Sequence, residues 1–381
     1  MIETVKRETL RSRERVIKAV NHEEADRIPI DLGFHYSTGI SAFAYKNLRD
    51  YLGLPDKPIE IIDINQFLAR VDTDVLERFH CDAVLLNPGA ASKKAWNPRG
   101  NYVFQIPADC MMERQSDGAW AKISQSACYM PEGGFFFDAA PQAPSDEDEH
   151  IARYAKEAER IFKDSDYYTM YIGYGAYFDG TNADSLCKML TDPGEFVEDM
   201  AYAHKRQMRS LRKVIGEMGG YIQAVALNAD LGSQAGPLCG PELYAKLCAP
   251  FVREFCDYVH QNSDVKVFIH SCGSIKRFMK ILIECGVDIF NPVQINAAEM
   301  DPASLKDEFG TEAVFWGGGC DTQKVLGCKT PEQVAANVKE LTGVFKPGGG
   351  FVFNQVHNIM GNVPPENIVA MLDAAYGESF Y

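Results

Sequence analysis

No apolar run in the 381-residue sequence approaches the roughly 20 residues that a helix needs to cross a bilayer. Clusters of basic residues are missing as well. Against 53 Asp and Glu there are 38 Lys and Arg, a net charge of −15, which disfavours nucleic-acid binding because that needs cations to replace counterions. An acidic surface fits small-molecule or protein partners instead. Residues 1–18 are charged and helical in pattern, with no apolar h-region ahead of a small-residue cleavage site, so a cytoplasmic location is expected. The 11 cysteines are odd in number and irregularly spaced, so they read as reduced thiols; Cys248 and Cys256, in a predicted helix, read as small core residues. Also absent are a His-Glu-x-x-His helix, a Gly-x-Ser-x-Gly elbow and a dinucleotide fingerprint. Their absence sets aside three common routes to catalysis.

What is present is alternation. With 46% hydrophobic and 24% charged residues, the chain has the balance of an ordinary globular protein. Short apolar runs ending in Gly, Asn, Asp or His alternate with longer amphipathic stretches, the pattern of βα units on a parallel sheet. Strands are predicted at 27–33, 83–87, 167–173, 221–228, 265–270, 287–293, 313–318 and 351–356, about the eight that close a (β/α)8 TIM barrel. Helices are predicted at 193–218, 241–261, 274–284 and 331–344. Residues 96–144 break the rhythm. Alternating pieces at 102–106 and 120–124 predict an inserted antiparallel β-hairpin or lid in a single domain spanning 1–381.

In such barrels the chemistry lies where strands end, so each strand is read for the polar residue that closes it. Strand one runs into His35-Tyr36, strand four into Asn228-Ala229-Asp230 with Gln234 beyond, and strand five into His270-Ser271-Cys272. Strand six runs into Pro292-Val293-Gln294, strand seven into Cys320-Asp321, and strand eight into His357-Asn358. His270 and Cys272, two apart as the chain leaves a strand, can point to one side; Cys320 and His357 arrive at the same mouth from other strands. Imidazole and thiolate are ligands that zinc prefers. These four are the candidate zinc ligands, with His357 alternatively a proton carrier. Asp230 is a candidate catalytic group, and His35, Tyr177, Gln234 and Gln294 are candidate substrate contacts. Asp321, before Thr322-Gln323, reads as a helix cap, and Gly348-Gly349-Gly350 as a turn. Zinc so held polarises a leaving group or lowers a thiol pKa, chemistry that suits methyl transfer.

The chain resembles the uroporphyrinogen decarboxylase superfamily, in particular its branch of cobalamin-dependent methyltransferases. The resemblance rests on Arg13-Glu14-Arg15-Val16, Asp26-Arg27-Ile28-Pro29-Ile30-Asp31, His270-Ser271-Cys272-Gly273, residues 316–323, His357-Asn358 and Pro364-Pro365-Glu366-Asn367-Ile368. It implies a barrel, zinc, and a methyl group moving between a small methylated substrate or acceptor and the cobalamin of a partner corrinoid protein, O-demethylation among the options. The decarboxylases carry an arginine-rich segment after strand one. Residues 33–39 here hold none, which disfavours a polycarboxylate substrate. A metal-free decarboxylase-like lyase, with His357 and Asp230 handling protons, is the alternative. The branch's later cysteine ligand falls on His357 in this chain, so either His357 replaces that thiolate or Cys320 takes its part. With one thiolate fewer, zinc is the stronger Lewis acid, which favours activating a methyl donor.

Overall fold

A computed structural model describes residues 8–123, 128–137 and 146–381. The expected insertion at 96–144 therefore falls partly outside the described residues, as do the ends of the predicted strand at 120–124 and of the charged stretch at 1–18.

Six strands form one parallel sheet: Met170–Gly175, Ala224–Asn228, Lys266–His270, Ile289–Asn291, Val314–Trp316 and Phe351–Val352, hydrogen-bonded in sequence order. Two shorter segments complete the ring. Ile30 bridges Phe353 in parallel at one edge, and Ala83 bridges Tyr168 in parallel at the other. The two segments meet where the Asp82 amide donates to the Ile30 carbonyl at 2.8 Å. No edge is left open, and the architecture is an eight-stranded (β/α)8 barrel.

Period-two alternation sorts the strand residues into two layers. Inside are Ala83, Tyr168, Met170, Ala224, Ala226, Phe268, Ile289, Val314, Trp316 and Val352. The alanines of strand four leave room for Trp316, whose ring stacks on Phe34 at 4.4 Å. Helix Ser12–Val20 plugs the bottom with Val16, Ala19 and Val20. Outward-facing Val225, Leu227, Val267, Ile269, Phe290, Phe315 and Phe351 pack in the larger cluster shared with the surrounding helices. Strands buried on both faces account for the near-continuous apolar runs in the sequence.

Helices begin where local chemistry starts them. Asp192 accepts from the Glu195 amide and Pro193 occupies the first turn of Pro193–Met218. A Thr330 and Gln333 capping box opens Pro331–Phe345. The helix expected over 241–261 is two helices, Pro241–Leu247 and Ala249–Asn262, divided at Cys248. Pro250 causes the break: it has no amide hydrogen and its ring clashes with a carbonyl one turn back.

Between barrel strands one and three the chain builds antiparallel structure. Lys93–Trp96 pairs with Phe104–Pro107, and Met112–Arg114, Trp120–Lys122 and Tyr129–Met130 form a meander. The first pair also takes in Ile59–Asp63 and Leu68–Ala69, which the alternation in the sequence did not reveal. Edge-to-face packing of Phe67 on Trp96 and on Phe104 fills this layer. Among the described residues, no helix is long and apolar enough to cross a membrane.

Candidate metal centre at the barrel mouth

One cavity lies at the far end of the barrel from the strand-end residues. About 950 Å³ in volume, it is lined by Arg13, Gln223, Lys266 and Asp288, at the end of the barrel where strands four to six begin. Metal-ligating side chains converge at the opposite end, where strands finish.

There, ligand atoms of His270, Cys272 and His357 all lie within 4.8 Å of one another. Strand Lys266–His270 delivers the first of these, and the chain leaving it turns sharply to present Cys272, whose Sγ is 3.5 Å from His270 Nε2. The turn depends on two glycines. Gly273 has φ +82°, and a Cβ there would sit 2.2 Å from the backbone of Gly232, which follows strand four. The Cys272 amide donates to Asp230 Oδ1 at 2.8 Å, and the Gly273 amide donates to Gln294 Oε1 at 2.7 Å. Asp230 Oδ1 also lies 4.0 Å from His270 Nε2.

The two histidines differ. His270 Nδ1 is 2.8 Å from Asn291 Oδ1, an acceptor, so Nδ1 carries the proton and Nε2 offers a lone pair. His357, at φ +63°, accepts the Asn358 amide on Nδ1 at 2.8 Å. Its metal-free ring therefore carries its proton on Nε2. Burial pushes both histidines below the ordinary value, His357 to about 3 with the charge of His270 adding to the effect. Burial, then the Asp230 carboxylate, pushes the Cys272 thiol up.

Cys320 lies apart from this group. It is fully buried in the main core, its carbonyl accepts the Val356 amide, and burial pushes its thiol up. The acidic neighbour Asp321 caps the π-helical turn Thr322–Leu326 by accepting the Gln323 and Lys324 amides. His35 is buried, with Nδ1 2.7 Å from Ser37 Oγ and Nε2 3.0 Å from Asn228 Oδ1, while its ring stacks on His270 at 5.2 Å. Tyr177 turns to the helices, its hydroxyl 2.8 Å from His204 Nδ1 and its ring against Phe251. Gln234 is exposed in the loop after strand four.

Three residues at the mouth escaped the reading of strand ends. Asn291 and Ser37 stand behind His270, and the charge of Asp179 acts on both His270 and Cys272. Asn291 was discoverable: it is the last residue of an apolar run, directly before Pro292.

No curated protein sequence matches the chain. Among solved structures, a methyltransferase from Methanosarcina mazei superposes with a TM-score of 0.58 at 12% identity, covering 97% of this chain and 99% of that one. A structure described as a vitamin-B12-independent methionine synthase from Listeria monocytogenes aligns over 63% of this chain and 71% of that one, at 12% identity and a TM-score of 0.38, too low to argue from. The first likeness speaks to the fold. The profile of the uroporphyrinogen decarboxylase (URO-D) family matches residues 183–377, just over half of the sequence and the half that carries strands four to eight with His270, Cys272 and His357. The chain belongs to the uroporphyrinogen decarboxylase (URO-D) family.

Proposed function

We propose that the protein is a zinc-dependent methyltransferase that moves a methyl group between a small methylated substrate and the cobalt of a partner corrinoid protein. The observation that carries this reading is the convergence of two imidazoles and one thiol within 4.8 Å at the catalytic end of the barrel. This is a nitrogen and sulfur donor set suited to zinc, with the three protein donors that a catalytic zinc takes. Structural likeness to a methyltransferase adds to it.

Zinc bound there supplies a Lewis acid that draws charge from the heteroatom bearing the methyl group. His270 and Cys272 would hold the ion, with His357 as third ligand. The thiol of Cys320 lies outside the group, so the donor set has one thiolate, and it favours a methyl donor such as a methoxyl over a thiol. Asp230, a third exposed, keeps the Cys272 backbone in place, and with Gln234 it would orient the substrate. The corrinoid of the partner would supply a cobalt(I) electron pair to accept the methyl group, the electrons of the broken bond staying on the substrate heteroatom, which would take up a proton. Phe135 packs on Gly361, four residues beyond His357. Corrinoid docking takes place over this mouth, in the cytoplasm.

The test is conversion of cob(I)alamin to its methylated form by zinc-loaded protein offered a methoxylated aromatic, a methylamine and a methyl thiol. Turnover by the wild type and none by Cys272→Ala is expected. Consumption of a porphyrinogen by metal-free protein, with no methyl transfer, would favour the lyase reading instead.

A further inference from the structure

Behind His270 lies a buried chain of polar side chains that no apolar packing requires. Asn291 is fully buried at the end of strand six, and all its polar capacity is directed. Its Nδ2 donates to the Trp316 carbonyl at 2.8 Å, which can only accept, so the amide has one permitted orientation. That orientation turns Oδ1 towards two neighbours, His270 Nδ1 at 2.8 Å and Ser37 Oγ at 2.7 Å. Ser37 is held in turn by His35, whose Nδ1 accepts the Ser37 amide at 3.1 Å. Asn228 completes the row: its Nδ2 donates to the Tyr174 carbonyl, so its Oδ1 receives His35 Nε2–H. Trp316 is the anchor at one end of this row and Tyr174 at the other.

The row has a competitor. Asp230 Oδ1 lies 4.0 Å from His270 Nε2, and its carboxylate is an acceptor that would draw a proton onto that nitrogen. A proton on Nε2 removes the lone pair a metal needs. We propose that Asn291, backed by Ser37 and His35, is a positioning residue that keeps the His270 proton on Nδ1 and so presets Nε2 as a metal ligand. The inference rests on the metal reading above. It also changes the part given to His35, from substrate contact to support.

Two measurements test it. In metal-free protein with ¹⁵N-labelled histidine, the His270 Nδ1 signal is expected to be that of a protonated nitrogen. Asn291→Leu shifts the proton to Nε2. Zinc affinity, measured by competition with a chelator, falls by roughly 10–100-fold in Asn291→Leu, as for other outer partners of metal-bound histidines. Asn291→Asp, which keeps an acceptor for Nδ1, restores most of it, and Ser37→Ala gives a smaller loss. A folded Asn291→Leu protein with wild-type zinc affinity and the proton still on Nδ1 overturns the inference. Should that variant not fold, Ser37→Ala decides: unchanged affinity and unchanged ¹⁵N signals overturn it equally. Failure of the wild type to bind zinc would sink the metal reading itself, while the metal-free signals would still decide the part played by Asn291.

Discussion

The Asn358 amide donating into His357 Nδ1 makes the two histidines at the mouth unequal partners for a metal. His270 arrives with Nε2 unprotonated and facing the Cys272 thiol, whereas His357 must give up the Asn358 hydrogen bond to ligate. His270→Ala and Cys272→Ala should therefore weaken zinc binding by more than the ~10–100-fold typical of an outer partner, and His357→Ala by less, in a chelator competition. Acidity gives a second expectation. Both rings sit below the ordinary histidine value and are neutral above pH 6.5, whereas the Cys272 thiol is pushed up and stays protonated in metal-free protein at neutral pH. Binding zinc then expels one thiol proton, so affinity should rise about tenfold per pH unit between 6.5 and 8.5. Calorimetry in buffers of different ionisation enthalpy counts that proton; release of none contradicts the assignment. Residue types at strand ends were legible in the sequence, because His, Cys and Asp stand out where apolar runs stop. Their partners were not. His35 and Tyr177 look like substrate contacts until their polar atoms are seen to be engaged, His35 by its near neighbour Ser37 and by the distant Asn228, and Tyr177 by His204.

Elements place these residues through close backbone approaches. The turn carrying Cys272 touches Gly232 at a distance that no side chain tolerates. Gly273→Ala adds that clash to an unfavourable left-handed backbone, so it should destabilise the fold by about 2–4 kcal/mol in urea titrations and lower zinc affinity at the same time. A Gly273→Ala protein with full zinc binding would show that the turn does not set the position of Cys272. Helix bounds followed their local signals well, since Asp192-Pro193 and Thr330-Pro331 carry both the cap and the first-turn proline. The break at Cys248 went unread because the proline responsible lies two residues further on. Strands Ile59–Asp63 and Leu68–Ala69 also escaped: the first owes its structure to a partner more than 30 residues away at Phe104–Pro107, the second pairs only with the first, and period-two alternation over so few residues is weak evidence.

Over the whole molecule the two ends of the barrel divide the work. The motif residues Arg15, Asp26 and Arg27 do not reach the mouth; they meet Asp82 at the bottom. Arg15 Nη1 lies 2.6 Å from Asp82 Oδ1, Arg27 Nη1 lies 2.7 Å from Asp82 Oδ2, and Arg15 Nε lies 2.7 Å from Asp26 Oδ1, with Asp82 fully buried. Asp82 also accepts the Ile30 amide, so this network pins the two short strands that close the barrel. Removing one partner strands buried charge, and Asp82→Ala should cost about 3–5 kcal/mol of stability by urea unfolding. Folded Asp82→Ala protein should still bind zinc normally, since the candidate metal site is at the other end. Barrel class could be read from strand count and spacing, but its closure depends on single bridges that leave no trace in hydropathy. The central claim concerns the mouth, and metal analysis of purified protein tests it most directly. One zinc per chain in the wild type and little or none in Cys272→Ala is the predicted result; wild-type protein without zinc, or Cys272→Ala with a full complement, would contradict it.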